Sequence, residues 1–403
     1  MTSETKPKDT RLSATISRGE MERRWKLARE AMARLDVDAL VVQGAANLAG
    51  TGGYYRWLSG MVPLTSYPQT VIVPLQGALT MVGHGGFGSR LEPDGSDPAM
   101  PGVGCRLGTP SFPAVAYTAS YDADLAAGAI REAGYKSIGL VGTNSSYYGL
   151  IARLKEQLAG LRVIDATAAI DPLRAIKSAE EIGFLRRAAA MQDEMLAKVR
   201  DFIRPGLHDF EVMAYADYVG QQLGSETGYM LGSSAPPGQP AMLRPRPQQA
   251  RKIGAGDVVL VQAENTGPGG YFTHIARVYV LGRTPPDLKQ AYAGMMAAQD
   301  YTIGLLKPGA SCREIFASYN TYMCAQGFAP ETRLHCHSQG YDAVERPLVR
   351  NDEDMTIAPD MNIGIHPNIM TRTLFATICD NFLTLPDGSV ERLHKTPRDI
   401  MEL

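Results

Sequence analysis

The chain has 403 residues, of which 44% are hydrophobic and 20% charged, and its formal net charge is -2. This length predicts two domains, and the charge balance gives no reason to expect nucleic acid or an anionic membrane as a partner. No apolar run reaches membrane-spanning length, and the polar N-terminus lacks the apolar core of a signal peptide. Five scattered cysteines without a CxxC pair favour reduced thiols, so we expect a cytoplasmic protein.

Strands and helices alternate over about the first 165 residues. Residues 18–36 carry apolar side chains at helical spacing, and VDALVVQG, TVIVPL, GALTMVG and YKSIGLVGT read as short strands. The run GTGGYYRWLSG, between the first two strands, reads as an exposed aromatic loop. This alternation predicts an α/β layer.

A domain boundary is predicted near 165–175, which gives domains of residues 1–168 and 169–403. Ser178 and Glu181 have the spacing of a capping box at the start of a long helix. More helices follow around the strand pair GDVVLVQAEN and YFTHIARVYVLG, and the C-terminal segments MNIGIHPNI and TLFATICDNFLTL return to strand. Helices on one side of a largely antiparallel sheet predict an α+β domain.

The order of these segments resembles the pita-bread superfamily of creatinase, prolidase and aminopeptidase P. DALVVQGAANL resembles part of its N-terminal domain, DPLRAIKSAEEIGFLRRAA the start of its catalytic domain, and RPGLHDFEV and KPGASCREI its two helix starts. GDVVLV and ARVYVLG resemble the hairpin that normally carries two aspartates. The resemblance covers nearly the whole chain and implies a creatinase-type α/β N-terminal domain followed by an α+β pita-bread catalytic domain.

The resemblance also implies two metal ions held by two Asp, one His and two Glu, and here the sequence departs from the superfamily. The aligned positions hold Gln262, His274, His337, His366 and Cys379, so the histidine alone keeps its residue type. Hard divalent ions prefer carboxylates, and we therefore expect no metal and no other cofactor. Zinc bound by the His and Cys side chains remains an alternative.

Three histidines at these positions favour a retained polar pocket over a refilled core, because buried imidazoles need hydrogen-bond partners. We predict that His274, His337 and His366 are catalytic, since imidazole transfers protons near neutral pH. Aromatic side chains suit a small, partly aromatic ligand, and arginines suit its carboxylate or phenolate. The candidate substrate-binding residues are Gln262, Cys379, Glu345, Tyr54, Tyr55, Arg56, Trp57, Tyr229, Tyr271, Tyr341 and Arg277.

Two enzyme classes and a binding module remain open as functions. We favour a metal-independent C–C lyase, for example one that removes formaldehyde in a retro-aldol-like step from a hydroxymethyl group of a lignin-derived aromatic. The alternatives are a creatinase-like hydrolase of a C–N bond and a non-enzymatic binding module. We expect a small-molecule substrate and no nucleic acid or membrane partner. The resemblance implies a homodimer in which the run Tyr54–Trp57 covers the pocket of the other protomer.

Overall fold

The computed structural model describes residues 14–65 and 67–403. They form two compact units that divide between Arg174 and Ala175. Within these described residues, we find no helix with both the length and the apolarity needed to cross a membrane.

The N-terminal unit is a layer of helices on a mixed sheet. Its elements are, in chain order, α1 (Arg18–Leu35), β1 (Ala39–Gly44), α2 (Gly53–Ser59), β2 (Gln69–Pro74), β3 (Leu79–His84), β4 (Ser89–Leu91), β5 (Val103–Thr109), α3 (Tyr121–Glu132), β6 (Ser137–Val141), α4 (Tyr148–Gln157), β7 (Arg162–Asp165) and α5 (Thr167–Ala175). The seven strands run in the order β4-β5-β3-β2-β1-β6-β7. Strand β1 pairs antiparallel with β2 and parallel with β6. Ile130 of α3 and Leu154 of α4 join Val41 of β1 in one apolar cluster, which confirms the predicted α/β organisation.

The run predicted to be an exposed aromatic loop is instead the helix α2. Tyr55, Arg56 and Trp57 are buried, because α2 packs its side chains inside the N-terminal unit. The Tyr54 hydroxyl donates a hydrogen bond to the carboxylate of Asp171 in the same unit. The structure therefore assigns these four side chains to packing within the N-terminal unit, which corrects their predicted role as an exposed binding surface. The homodimer stays a prediction, without the exposed aromatic run that motivated it.

The C-terminal unit combines two five-stranded sheets with long helices. Its elements are α6 (Ala179–Phe202), α7 (Asp209–Gln222), β8 (Gly228–Ala235), β9 (Arg244–Pro245), β10 (Val258–Thr266), β11 (Phe272–Val280), α8 (Pro286–Leu305), α9 (Cys312–Ala325), β12 (Cys336–Ser338), β13 (Glu345–Leu348), β14 (Asn362–Ile365), β15 (Asn368–Met370), β16 (Phe375–Thr377), β17 (Asp380–Thr384), β18 (Val390–Arg392) and β19 (Met401–Glu402). The two sheets have the strand orders β19-β11-β10-β8-β9 and β13-β12-β14-β17-β18, and β15 pairs with β16. Helix α6 begins at the predicted capping box of Ser178 and Glu181.

The alternation of side chains along β10 separates two apolar clusters. Val259 and Val261 belong to the cluster that contains residues of α6 and α7, whereas Leu260 belongs to the cluster that contains residues of α8 and α9. Helices thus contribute to the apolar clusters on both faces of β10. The prediction placed the helices on one side of a single sheet. Gln262 and Glu264 continue the face of Leu260, because side chains of a strand alternate with a period of two.

The two sheets meet between β11 and the segment that leads into β17. Ala276 forms an isolated β-bridge with Cys379, and the backbone nitrogen of His274 donates to Oδ1 of Asn381 over 2.7 Å. This junction brings the polar face of β10 and β11 to the strands of the second sheet, and the candidate site lies there.

Candidate active site

Three neighbouring strands place Tyr229, Glu264 and His274 side by side. Glu264 of β10 stands opposite His274 in the β10–β11 ladder and opposite Tyr229 in the β8–β10 ladder. Directly opposed residues point to the same face of a sheet, and Oε1 of Glu264 lies 3.8 Å from Nδ1 of His274. The sequence analysis missed Glu264, although its position two residues after Gln262 on a strand was a usable signal.

The second sheet contributes the other two predicted catalytic histidines. His337 lies on β12, and His366 directly follows β14. The ring centroid of His274 lies 5.1 Å from that of His337 and 5.4 Å from that of His366. The rings of His337 and His366 are 5.1 Å apart. The structure therefore brings together the three histidines that are far apart in the sequence.

Glu264, His274 and His337 form the compact part of this site, which we call the Glu–His cluster. One ligand atom from each of the three side chains lies within 4.8 Å of the other two, and all three residues are buried. His366 lies beside the cluster and is less buried than its members. The cluster therefore gathers a carboxyl group and two imidazoles around one point.

A glycine makes room for one of these rings. Gly364 of β14 stands opposite His337 in the β12–β14 ladder. A Cβ atom at Gly364 would lie 2.0 Å from Nε2 of His274, which is far inside van der Waals contact. The His274 ring therefore occupies the space that any other residue at position 364 would fill.

A backbone hydrogen bond fixes the protonation of the His337 ring. Its Nδ1 lies 3.0 Å from the carbonyl oxygen of Ser338. Because a carbonyl oxygen can only accept, Nδ1 carries the proton and Nε2 of the neutral ring carries the lone pair. His337 thus offers Nε2 as a base or as a metal ligand.

An amide network holds the carboxyl group of Glu264. Nε2 of Gln339 donates to Oε1 of Glu264 over 3.0 Å and to the carbonyl of Ala343 over 2.9 Å. Nδ2 of Asn381 in turn donates to Oε1 of Gln339 over 2.9 Å. Asn381 also accepts the hydrogen bond from the backbone of His274, so one network orients two members of the Glu–His cluster.

Burial changes the proton affinity of every group in the site. It lowers the pKa of His337 to about 4 and the pKa values of His274 and His366 well below the ordinary range. It raises the pKa of the Glu264 carboxyl to about 7, against the hydrogen bond from Tyr229, which lowers it. Near pH 7 the imidazoles are therefore neutral, and the carboxyl titrates in the same range.

Gln262 and Cys379, two predicted substrate contacts, border the cluster in neutral form. The side chain of Gln262 hydrogen-bonds Glu264. Sγ of Cys379 lies 3.7 Å from the carbonyl oxygen of His274, and burial raises the pKa of this thiol well above its usual range. Cys379 is therefore a thiol donor to the His274 backbone and not a thiolate.

Arg277 is a structural residue, which corrects its predicted role in binding substrate. Its side chain is fully buried, and Nη2 lies 2.7 Å from Oδ1 of Asp380. It also donates to the backbone carbonyls of Ala276, Cys379 and Pro397. These bonds leave the guanidinium engaged inside the protein.

Tyr271, Tyr341 and Glu345 form contacts with residues outside the Glu–His cluster. The Tyr271 hydroxyl donates to Oε1 of Glu181 over 2.7 Å, and its ring centroid lies 4.4 Å from that of Tyr341. Glu345 forms a buried ion pair with Lys177 at 3.0 Å. Of the predicted aromatic contacts, Tyr229 borders the Glu–His cluster, because it stands opposite Glu264 in the β8–β10 ladder.

Arg333, which the sequence analysis did not select, brings positive charge to the site. It is exposed and lies in the segment before β12. Its charge acts on the groups of Glu264, His337 and His366. An exposed arginine close to a buried reactive cluster is suited to binding an anionic part of a ligand.

Two family models match the chain. The model of metallopeptidase family M24 matches residues 183–385, and the model of the creatinase/prolidase N-terminal domain matches residues 24–176. The first match contains the whole Glu–His cluster. Together they confirm the predicted superfamily and the predicted combination of domains.

Curated relatives are peptidases or hydrolases by name. The probable dipeptidase PepE of Mycobacterium tuberculosis is 27% identical over 246 residues, which are 60% of this chain and 64% of that protein. The match thus spans less than two thirds of the mycobacterial protein. An uncharacterized hydrolase/peptidase of Sinorhizobium fredii, y4tL, is 25% identical over 396 residues, which cover 95% of this chain and 96% of the relative.

Solved structures share the fold. The X-Pro aminopeptidase from Thermotoga maritima superposes with a TM-score of 0.76 at 15% identity and covers 94% of this chain and 99% of its own. The Xaa-Pro dipeptidase from Bacillus anthracis gives a TM-score of 0.75 at 20% identity, with coverage of 95% and 100%. At these identities the similarity establishes the pita-bread fold.

The predicted metal-independent C–C lyase of lignin-derived aromatics is wrong. The family is one of metallopeptidases, and its curated relatives are named dipeptidases and hydrolases. These names favour the alternative prediction, a creatinase-like hydrolase of a C–N bond, over the lyase.

The family name implies metal ions, and such ions require suitable donor atoms in the site. By the alignment that the resemblance implies, the ligand positions hold Gln262, His274, His337, His366 and Cys379, a set without the carboxylates that two hard ions prefer. The Glu–His cluster fits one ion, because borderline divalent ions accept one carboxylate and two imidazoles. Within the described part of the chain, Nε2 of His274 is buried without a hydrogen-bond partner.

Proposed function

Because the chain belongs to metallopeptidase family M24 and carries a creatinase/prolidase N-terminal domain, we propose that it hydrolyses a C–N bond of a small substrate at the Glu–His cluster. The observation that carries this proposal is the convergence of Glu264, His274 and His337 inside the region matched by the family model. The dipeptidase names of its relatives support an amide bond as the target.

Hydrolysis requires a water molecule that loses a proton as it attacks and a nitrogen that gains a proton as it leaves. The donor atoms of Glu264, His274 and His337 surround one point and hold the water there, with the carboxylate accepting a hydrogen bond from it. When bound at the same point, a metal ion would lower the pKa of the water, and these three residues would hold the ion.

His366 moves the proton in this proposal. Its ring lies 5.1 Å from that of His337, and it is the least buried of the three histidines, which makes it the most accessible to a substrate. Because its pKa lies well below the ordinary range, His366 is neutral near pH 7 and can accept the proton from water. The imidazolium formed is a strong acid and returns that proton to the leaving nitrogen.

Arg333 selects substrates with a carboxylate. Its exposed guanidinium lies close enough for its charge to act on the groups of Glu264 and His366, and a guanidinium binds a carboxylate through two parallel hydrogen bonds. A dipeptide or an N-acyl amino acid carries such a carboxylate near the bond to be cleaved. This class of substrate therefore fits both the charge of Arg333 and the reaction at the cluster.

A substrate panel tests the proposal. Purified protein is incubated with dipeptides, Xaa-Pro dipeptides, N-acyl amino acids and guanidino acids, with and without added divalent metals, and release of a new amine is measured. We expect cleavage within the panel, and Glu264→Gln should lower turnover by about 10²–10⁴-fold. The matched control is Glu314→Gln, an exposed glutamate on α9. Absence of amine release from every compound, or equal loss in both variants, would contradict the proposal.

A further inference from the structure

We infer that Glu264, His274 and His337 bind a single divalent ion of the zinc class. This site differs from the two-ion carboxylate site that the superfamily resemblance implies, and it uses a carboxylate at a position outside that set. The inference goes beyond the proposed hydrolysis, because ion binding can be measured without any substrate.

The distances between the donor atoms suit one ion. Ligands bonded to the same zinc ion at about 2.0–2.2 Å are at most about 4.4 Å apart. The three donor atoms already lie within 4.8 Å of one another, and Oε1 of Glu264 is 3.8 Å from Nδ1 of His274. Small side-chain rotations therefore bring all three atoms to a common ion.

The residues around the cluster act as supports for ligands. The bond from Nδ1 of His337 to the carbonyl of Ser338 leaves Nε2 with the lone pair that a metal needs. Nε2 of Gln339 donates to Oε1 of Glu264 and so holds the carboxyl group in place. Because metal-binding histidines and carboxylates normally have such partners, the cluster is oriented before an ion arrives.

The charges in the site select the type of ion. With its Nδ1 bonded to the Ser338 carbonyl, His337 presents the Nε2 lone pair of a neutral imidazole, which is the form that binds metals. With one carboxylate, the cluster lacks the oxygen-rich environment that calcium or magnesium prefers. Cys379 does not join the set, because its thiol donates to the His274 carbonyl. One carboxylate and two imidazoles remain, which is a ligand set that catalytic zinc sites use.

One nitrogen of the Glu–His cluster lacks a hydrogen-bond partner in the part of the protein that the structure describes. Among the described residues, Nε2 of His274 is buried and unpaired, and burying an unpaired polar atom costs free energy. The pocket thus holds polar atoms that protein partners do not fully satisfy.

The experiment is metal binding to the full-length protein after removal of metals with a chelator. Calorimetry with zinc should show one ion per chain, and cobalt should give the visible absorption of a low-coordinate site. Glu264→Gln and His274→Ala should each weaken zinc binding by at least about 100-fold, since removal of a direct ligand costs more than the roughly 10–100-fold loss of a supporting residue. Magnesium should bind far more weakly than zinc to the unchanged protein.

His208→Ala is the matched control, because His208 lies at the start of α7 and pairs with Glu211 outside the cluster. It should leave zinc binding unchanged, and circular dichroism establishes that each variant is folded. The inference is overturned if the unchanged protein binds no stoichiometric zinc, or if folded Glu264→Gln binds it equally well. Absence of zinc binding would contradict this inference and would not contradict the hydrolysis proposal. Zinc binding without amine release from any compound of the panel would contradict the hydrolysis proposal and would not contradict this inference.

Discussion

Glu264 stands directly opposite His274 in the β10–β11 ladder, with its Oε1 3.8 Å from the imidazole Nδ1. Both side chains are buried, so water screens their interaction little. Glu264 provides a carboxylate on the same face of β10 as Gln262. At the position of Gln262, the superfamily resemblance implies an aspartate. The site is therefore a buried polar centre that contains a carboxyl group beside an imidazole.

Gly364→Ala should damage the cluster without changing any of its members. The new Cβ would lie 2.0 Å from Nε2 of His274, so the buried ring must move. We expect kcat/KM to fall at least tenfold and the protein to lose about 1–3 kcal/mol of stability, as is usual for overpacking. Gly304→Ala in α8 is the control, because a Cβ there meets no atom within 4 Å among the described residues. Equal kinetics for the two variants would contradict the placement of His274.

Arg333→Gln should weaken substrate binding more than catalysis. Loss of the guanidinium removes a partner for the substrate carboxylate, so we expect KM to rise about 10-fold or more, in line with about 1.5–3 kcal/mol for a charged hydrogen bond, while kcat changes little. Arg313→Gln is the control, since Arg313 is exposed and pairs with Asp354. A fall in kcat at constant KM would show that Arg333 does not bind the substrate.

Arg277→Ala should unfold or strongly destabilise the C-terminal unit. It removes the 2.7 Å partner of the fully buried Asp380 and leaves this carboxylate the longer 3.6 Å contact with Arg392. Breaking a buried ion pair typically costs about 3–5 kcal/mol. Arg186→Ala, which removes an exposed pair with Glu391, should cost less than about 1 kcal/mol. Thermal unfolding followed by circular dichroism measures both. Similar melting temperatures for the two variants would contradict the structural role of Arg277.

Asp122→Asn should stabilise the N-terminal unit at neutral and alkaline pH. Burial raises the pKa of Asp122 from 3.8 to about 6, so the folded unit holds a proton that the unfolded chain releases between these values. The stabilisation of the folded unit by this bound proton is complete below about pH 4 and is lost as the pH rises through about 6. Asparagine stays neutral and retains an acceptor for the hydrogen bond from Gln43.

The size of this effect has an upper limit of about 3 kcal/mol, since one pKa unit corresponds to about 1.4 kcal/mol. Both tryptophans, Trp25 and Trp57, lie in the N-terminal unit, so the urea midpoint of tryptophan fluorescence reports on that unit. The urea midpoint of Asp122→Asn should be higher than that of the unchanged protein at pH 7.5 and equal to it at pH 3.5. A difference that is the same at both pH values would show that the charge of Asp122 is not its cause.

The sequence predicted the fold well because the fold depends on periodic patterns that survive substitution. The strand pair β10 and β11, the capping box at Ser178 and the alternating N-terminal elements can all be recognised locally. The convergence of His274, His337 and His366 was predictable only through the resemblance, since pairing between β11, β12 and β14 joins residues distant in the chain. Glu264 was not predicted because it lies outside the positions that the resemblance assigns to ligands, and only the pairing of β10 with β8 and β11 places it beside Tyr229 and His274.

The errors have a common physical origin in burial that local sequence does not reveal. The run from Tyr54 to Trp57 follows two glycines and reads as a loop. In the structure it belongs to the short helix α2, and Tyr55, Arg56 and Trp57 are buried. Arg277 reads as a free cation, and its partner Asp380 is 103 residues away in the chain. Such pairs become visible only when the sheets are assembled.

The central claim is that the Glu–His cluster hydrolyses a C–N bond, and oxygen labelling tests it most directly. Cleavage of the best substrate of the panel in ¹⁸O-water should place one labelled oxygen in the acid product for each amine released. His337→Ala should lower that rate by about 10²–10⁴-fold, whereas His208→Ala should leave it unchanged. Product without solvent oxygen, or unchanged labelling in a folded His337→Ala protein, would contradict hydrolysis at this cluster.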